Sequence, residues 1–409
     1  MYTILRAKNE ALQPAVTDFA ARLVRTRSVS LDESAAADAV VTEMRQAGYD
    51  KVHRDEAGNV IGILFGRDAG PVLVLNSHLD TVVPEEVGVW AEPPCDGSIH
   101  GNRLHGAGAA DCKGGLAAQV YAGILLKRSL LPLRGHLVVA ATVAEENGRS
   151  IGCRHLLQRT LPALGLKPDY AVLGEPTRLG LYYGHDGWLE ANIRIESANA
   201  FLVADAARAI YRDLSGVSAP AGHYAGADDL VATRPSFEGA TDARCATIRV
   251  ARRLRVGEDA ASAVAALQHD TALLVQPTAA LAVNVAVIED EQRLYTGRTT
   301  LVRHLTNAWT TDPFDPLVER SRQALTAAGC VCRPGRWSLG RLGMGTAGSL
   351  LLGEFDIPTV GYGPGDEDLA HRADEWVDLD AVSAAVYGTA AIAHSLIGVP
   401  VCGWSDGEI

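Results

Sequence analysis

The chain has 409 residues, of which 47% are hydrophobic, and its formal net charge is −12. A single hydrophobic core rarely grows beyond roughly 250–300 residues, so this length predicts two domains. Lys and Arg are scattered along an acidic chain, which excludes a phosphate-following basic surface and hence a nucleic-acid partner. No apolar run reaches the roughly 20 residues that cross a bilayer, and the N-terminus lacks the pattern of a signal peptide. The seven cysteines are irregularly spaced, which argues against a disulfide framework. We therefore expect a soluble, cytoplasmic protein with no membrane partner.

The first part of the chain alternates between helical and strand patterns. The patterns are, in order, helical at 10–47, hairpin-like at 51–66, strand-like at 72–75, helical at 114–128, strand-like at 136–144, helical at 152–161 and strand-like at 170–174. The apolar runs after the hairpin are continuous, which is typical of strands buried on both faces. This alternation predicts an α/β fold with a mostly parallel sheet.

From about Gly184 the pattern changes to alternating strands separated by helices. Strand patterns lie at 188–196, 245–256 and 281–289, and helical patterns lie at 198–214 and 258–270. After residue 298 the α/β pattern resumes, with helices at 313–329 and 379–398 and a strand at 357–365. We predict a catalytic domain formed by residues 1–183 and 298–409, and a smaller inserted α+β domain formed by residues 184–297.

Acids and histidines follow the predicted strands of the first domain. His78 and Asp80 come after the strand at 72–75, at positions i and i+2 of an extended segment, so their side chains point to the same side. The imidazole can then bind a metal through one ring nitrogen, while a carboxylate accepts a hydrogen bond from the other ring nitrogen and so fixes the tautomer. The alternative is a solvated strand end, and the position after a buried strand favours the metal site.

Asp111 and the Glu145-Glu146 pair extend the same pattern. Asp111 lies in the glycine-rich segment 105–115, and in isolation it reads as the N-cap of the following helix. The two adjacent carboxylates after the strand at 136–144 repel each other unless a cation or a proton neutralises their charge. If one binds a metal, the other is free to take a proton from water; an exposed turn is the alternative.

Glu175 and His371 are weak signals singly. Together with His78, Asp111 and Glu146 they give five ordered ligands, a pattern that matches one aspartate bridging two divalent ions. The segments SHLDTVVP (77–84), HGAGAADCKGG (105–115), EENG (145–148), GEPT (174–177) and GYGPGDEDLAH (361–371) resemble those of the M20 metallopeptidase and deacylase family. The resemblance covers nearly the whole chain.

The resemblance implies a zinc-hydrolase α/β domain with an inserted lid, and two divalent metal ions as cofactors. The implied ligands are His78 and Glu175 for one ion, Glu146 and His371 for the other, and Asp111 for both. Asp80 would orient His78, and a cis peptide would join Asp111 to Cys112. Histidine with carboxylate ligands fits Zn²⁺, with Co²⁺ or Mn²⁺ as alternatives.

The implied chemistry is amide hydrolysis. Two dications outweigh three ligand carboxylates, so a positive field remains that suits a substrate with a carboxylate. A bridging water would be acidified by the ions, and Glu145 would remove its proton and deliver it to the departing amine. We expect an amidohydrolase that cleaves an N-acyl amino acid or a small peptide-like substrate. The alternatives are a carboxypeptidase or dipeptidase of the same family, and a repurposed non-hydrolytic biosynthetic or binding protein.

The chain departs from the family pattern in the lid. Family lids usually carry a histidine that stabilises the oxyanion across a dimer, whereas the matching stretch 195–201 is short and has none. His223 and His185 are the candidate substitutes, and the formation of a homodimer is equally open.

Three further residues are substrate-binding candidates. Asp186 would favour a cationic or neutral group if it faces the pocket. Arg253 lies where relatives often bind a substrate carboxylate, with ordinary strand surface charge as the alternative. Thr346 would touch substrate by resemblance to family Gly-Thr loops.

Overall fold

The computed structural model describes residues 1–146, 149–215, 230–238, 244–275, 280–330 and 345–399. The helices before residue 184 are α1 (Tyr2–Arg25), α2 (Ser34–Gln46), α3 (Gly114–Ser129), α4 (Ile151–His155) and α5 (Leu161–Ala163). The strands there are β1 (Lys51–Arg54), β2 (Val60–Leu64), β3 (Val72–His78), β4 (Ile99–His100), β5 (Arg103–His105), β6 (His136–Thr142) and β7 (Tyr170–Leu173). Short 3₁₀ and π turns lie at Pro84–Glu86, Ala109–Lys113 and Leu156–Thr160.

The second part of the chain contributes the remaining elements. Its helices are α6 (Ala200–Ser215), α7 (Ala260–Val275), α8 (Pro316–Ala327), α9 (Gly348–Leu351) and α10 (Leu379–Ile397). Its strands are β8 (Gly184–His185), β9 (Gly187–Glu196), β10 (Leu230–Ala232), β11 (Ser236–Glu238), β12 (Cys245–Leu254), β13 (Ala282–Val287), β14 (Glu289–Arg293), β15 (Thr299–Arg303), β16 (Leu305–Thr306), β17 (Trp309–Thr310), β18 (Thr359–Gly361) and β19 (Trp376–Asp378). Across the described ranges we find no helix that is long and apolar enough to cross a membrane.

A mixed sheet with the strand order β1-β2-β6-β3-β7-β18 forms the centre of the molecule. Strands β6, β3, β7 and β18 run parallel to one another, whereas β1-β2 is an antiparallel hairpin whose second strand pairs antiparallel with β6. The predicted α/β fold with a mainly parallel sheet is therefore confirmed, and so is the predicted hairpin at 51–66.

The central sheet is covered on both faces. Leu73 and Leu75 of β3 pack into the core formed with α1, α3 and α10, whereas Val72 and Val74 pack into the opposite core with α4 and α9. All seven residues of β3 are buried. Burial on both faces explains why these strands read as continuous apolar runs rather than as alternating patterns.

A second, antiparallel sheet has the order β10-β12-β9-β13 and carries α6 and α7. Along β9 buried residues alternate with half-buried or exposed ones, which gives this sheet one core face and one open face. This is the smaller α+β unit that the sequence predicts. The predicted boundary at residue 297 lies inside the β14-β15 hairpin, and the division into domains stays a prediction.

The start of α3 is pressed against the loop that follows β7. A Cβ atom on Gly115 would lie 1.8 Å from the carbonyl oxygen of Gly174, so that only glycine fits there. This close approach brings the segment of Asp111 beside the segment of Glu175.

Candidate metal centre

The candidate ligands converge because their strands are neighbours. His78 is the last residue of β3, Glu145 and Glu146 follow β6, and Glu175 follows β7. The carboxyl ends of adjacent parallel strands meet at one edge of a sheet, which is where α/β proteins bind ligands. His371 reaches the same edge on the loop after β18.

Two groups of possible metal-binding atoms meet at Asp111. The first contains His78, Asp111, Cys112 and Glu175, and the second contains Asp111, Glu146 and His371; within each group the ligand atoms all lie within 4.8 Å of one another. Nε2 of His78 lies 3.2 Å from Oδ1 of Asp111, and Nε2 of His371 lies 3.3 Å from its Oδ2. The two carboxylate oxygens of Asp111 thus face one imidazole each.

Asp80 contacts the ring nitrogen of His78 that does not face Asp111. Nδ1 of His78 lies 2.9 Å from the backbone carbonyl oxygen of Asp80 and 3.6 Å from the carboxylate Oδ1. The carboxylate itself accepts the backbone N–H groups of Glu145 at 3.1 Å and Glu146 at 3.0 Å, as well as the Ser30 hydroxyl at 2.7 Å. The sequence predicts that the Asp80 carboxylate orients His78, but the structure gives this hydrogen bond to the Asp80 backbone carbonyl, while the carboxylate holds the glutamate pair.

Glu145 has the geometry of a proton acceptor. Its Oε1 accepts the Ser150 hydroxyl at 2.7 Å, whereas its Oε2 is buried and has no hydrogen bond to any residue within the described ranges. Burial raises the pKa of Glu145 to about 7. A carboxyl with such a pKa is suited to proton transfer near neutral pH.

The electrostatics of the cluster are those of acids gathered around imidazoles. Burial raises the pKa of Glu146 and holds that of Glu175 well above its usual range. Burial also disfavours the charge on Asp111, but hydrogen bonds from His371 and His78 hold its pKa below the usual range. Burial likewise opposes the charge on His371, yet the neighbouring Glu146 and Asp111 carboxylates raise its pKa to about 12.

This donor set fits divalent metal ions. Buried carboxylates and imidazoles at such short separations are the ligands that zinc prefers, and a cation relieves the cost of ionising the acids. Cys112 also belongs to the first group by position, and burial raises the pKa of its thiol to about 12. The peptide bond between Asp111 and Cys112 is cis, as the resemblance implies.

Two acids that hold this centre were missed by the sequence reasoning. Glu375 accepts backbone N–H groups from Gly108 at 2.8 Å, Ala110 at 2.7 Å and Asp111 at 2.9 Å, and burial raises its pKa to about 8. Glu33 accepts the N–H of Ala144 at 2.9 Å, just before the glutamate pair. Glu375 lies four residues after the candidate ligand His371 in the sequence, and this proximity could have identified Glu375 as a residue of the site.

Among the residues that the structure describes, none of the substrate-binding candidates belongs to either ligand group. His185 is buried, its Nε2 accepts the N–H of Thr346 at 2.8 Å, and its Nδ1 donates to the carbonyl oxygen of Asp186 at 2.7 Å. Burial lowers the pKa of His185 to about 4, so it is neutral near pH 7. Because both ring nitrogens are engaged, we expect His185 to hold the Thr346 loop rather than to reach an oxyanion.

Arg253 and Asp186 form an ion pair with each other at 3.9 Å. Arg253 lines a different cavity, beside Arg252 and Arg255. His223, the other candidate for the oxyanion, lies outside the described residues. The roles of these residues stay predictions.

A pocket opens over the candidate ligands. Its lining residues are His78, Glu145, Glu146, Arg149, Ser150, Glu175, Trp188, Thr306, Gly345 and His371. Trp188 and Thr306 belong to the second sheet, so the pocket lies between the two sheets.

Known proteins resemble this chain over most of its length. The model of peptidase family M20/M25/M40 matches residues 74–395. An uncharacterized protein, YgeY, of Escherichia coli strain K12 is 26% identical over 94% of this chain and 96% of its own, and a [LysW]-lysine hydrolase of Deinococcus radiodurans is 28% identical over 94% and 98%. The structure of Bacillus subtilis YXEP, described as a dinuclear metal binding peptidase, matches with a TM-score of 0.66 and 14% identity over 94% and 98% of the two chains.

Proposed function

The chain belongs to peptidase family M20/M25/M40, and from this premise we propose that it hydrolyses the amide bond of an N-acyl amino acid or a small peptide-like substrate that carries a carboxylate. Its general class is that of a metal-dependent hydrolase acting on amide bonds. The observation that carries the finer proposal is the pair of ligand groups that share Asp111, with the buried Oε2 of Glu145 beside them.

We assign His78 and Glu175 to one divalent ion, Glu146 and His371 to the other, and Asp111 to both. The distances within each group support this assignment. Two divalent ions held by these residues would supply a Lewis acid for the substrate carbonyl and would acidify water near neutral pH. Zn²⁺ is the ion that these ligands favour, with Co²⁺ and Mn²⁺ as alternatives.

Glu145 is the general base and acid of the proposed reaction. Its Oε2 takes a proton from the attacking water as the new C–O bond forms, and it returns that proton to the amide nitrogen as the C–N bond breaks. The Ser150 hydroxyl orients the carboxylate through Oε1. Asp80 holds the backbone of Glu145 and Glu146 in place, so the base and one ligand are positioned by the same side chain.

The substrate class follows from charge. Two dications exceed the charge of three ligand carboxylates, and the positive field that remains favours a substrate with a carboxylate near the cleaved bond. A carboxypeptidase or dipeptidase activity would use the same centre and is the second candidate. The non-hydrolytic scaffold is not retained, because the chain belongs to the hydrolase class.

The experiment is a hydrolysis screen with ligand variants. The metal-loaded protein is assayed against N-acetyl and N-succinyl amino acids and against dipeptides, and single alanine variants of the five ligands are assayed in parallel. We expect turnover of at least one carboxylate-bearing substrate and its loss in every variant. Full activity after complete removal of metal, or full activity of Asp111→Ala, would contradict the proposal.

A further inference from the structure

An arginine lies among the candidate ligands, and neither the ligand set nor the proton transfer uses it. Arg149 lines the pocket together with His78 and His371, one from each ligand group. Its side chain is only 16% exposed. Arginine is rarely buried to this extent unless it is paired, so both its partner and its purpose need an explanation.

The partner is Glu190, which projects from the second sheet. Nη2 of Arg149 donates to Oε1 of Glu190 at 2.7 Å. Glu190 also pairs with Arg249 and contacts Nδ1 of His304 at 3.1 Å. Two arginines, Arg149 and Arg249, therefore share one carboxylate.

The backbone of β9 and the backbone of the turn at Arg149 both favour this placement of the Arg149 side chain. Glu190 and the pocket residue Trp188 are two residues apart on β9 and thus share its open face. On the other side, Arg149 and Ser150 both adopt left-handed backbone conformations, with φ values of 52° and 61°. Such conformations are uncommon for residues other than glycine and cluster at functional sites. This turn directs Ser150 to Glu145 and Arg149 to Glu190.

We propose that Arg149 binds the carboxylate of the substrate and that Glu190 is its positioning residue. The guanidinium has five N–H donors in a planar fork that matches a carboxylate. Its contact with Glu190 uses Nη2, and the other two nitrogens have no acceptor among the residues that the structure describes. The inference rests on the proposed function and makes it narrower: the substrate is an amino-acid derivative whose free carboxylate lies within reach of the cleaved amide.

The experiment compares each carboxylate substrate with its neutral amide in one preparation. N-acetyl amino acids and the corresponding N-acetyl amino acid amides are assayed with the metal-loaded wild type, Arg149→Gln and Arg149→Lys. Arg154→Gln is the matched control, because Arg154 pairs with Glu354 outside the pocket. The ratio of kcat/KM for acid over amide is independent of the folded fraction, so a partly unfolded variant remains informative.

We expect Arg149→Gln to lower this ratio by roughly 10- to 100-fold, mainly through KM, which is the loss usual for hydrogen bonds between charged groups. Arg149→Lys should restore part of it, because lysine keeps the charge but lacks the fork. Arg154→Gln should leave the ratio unchanged. An equal loss for acid and amide in Arg149→Gln, or no loss, would overturn the inference.

A binding arm separates this inference from the hydrolytic function. Thermal stabilisation of the metal-loaded protein is measured with the same N-acetyl amino acids and their amides. If nothing is hydrolysed but the acids stabilise the wild type more than Arg149→Gln, the proposed function fails and the inference stands. If acids and amides stabilise both proteins equally, the inference fails whatever the hydrolysis screen shows.

Discussion

Replacement of Glu145 by glutamine should remove most of the turnover and leave the fold and metal content intact. Glutamine has nearly the same shape, and its carbonyl oxygen can keep the hydrogen bond from Ser150, which measures 2.7 Å at Oε1 of the native residue. The variant loses the ability to accept a proton at Oε2, the buried atom without a hydrogen-bond partner in the described part of the chain. The change therefore removes one chemical function and little else.

The size of the effect follows from the environment of Glu145. Burial raises its pKa from the ordinary 4.5 to about 7, which costs the ionised form about 3 kcal/mol and makes it a stronger proton acceptor. Positioned general bases contribute roughly 10²–10⁴-fold to the rate. We therefore expect kcat of Glu145→Gln to fall by roughly 10²–10⁴-fold with little change in KM.

The assay is steady-state hydrolysis between about pH 5 and pH 9. In the wild type the rate should fall as the pH drops below the pKa of Glu145, because a protonated carboxyl cannot accept a proton. Bound dications favour the carboxylate, so this acidic limb should lie at or below pH 7. The residual rate of Glu145→Gln should lack the limb.

Ser150→Ala is the matched control for Glu145→Gln. It keeps the carboxylate and removes one hydrogen bond, so its loss should be about tenfold or less. Wild-type turnover by Glu145→Gln with a normal metal content would refute the assignment of the base.

Four further predictions follow from the structure. Gly115→Ala should destabilise the protein by about 1–3 kcal/mol in thermal unfolding, because its Cβ would lie 1.8 Å from the oxygen of Gly174; an unchanged Tm would contradict this. Glu375→Gln should weaken metal binding by roughly 10- to 100-fold in a metal titration, because the carboxylate accepts three backbone N–H groups at 108–111; wild-type affinity would count against this role. Chelation of the metal should abolish hydrolysis and lower the Tm, and added Zn²⁺ should restore both; activity that survives chelation would exclude a metal role. Below about pH 6.5 the unfolded chain binds a proton on His185 that the folded chain, with a pKa of about 4, does not bind. The wild type should thus lose about 2 kcal/mol of stability between about pH 7.5 and pH 5 that His185→Gln does not lose, as measured by urea unfolding at both pH values.

The parts of the centre that follow strands could be predicted from the sequence. The continuous apolar run before His78 indicated a strand buried on both faces, and its neighbours β6 and β7 carry Glu146 and Glu175 at the same edge. The carboxyl ends of parallel strands meet at one edge of a sheet, so the position of each residue after a strand was enough to predict that edge. The order of the strands within the sheet did not follow from the sequence. Local patterns also gave the hairpin at 51–66 and the helices of the second sheet.

Side chains that accept hydrogen bonds from distant backbone N–H groups could not be predicted from the sequence. Glu375 and Glu33 bind N–H groups of segments far away in the chain, and no periodicity marks such contacts. The pairing of Arg149 with Glu190 depends on how the second sheet lies against the first. The engagement of both ring nitrogens of His185 likewise depends on the Thr346 loop, which is distant in sequence.

The most direct test of the account is anomalous X-ray diffraction from crystals of the zinc-loaded protein, recorded at the zinc absorption edge. We predict two peaks, one beside His78 and Glu175 and one beside Glu146 and His371, each at the bonding distance of about 2.0–2.2 Å from one oxygen of Asp111. A single peak, or two peaks of which one has no Asp111 oxygen at bonding distance, would contradict this prediction.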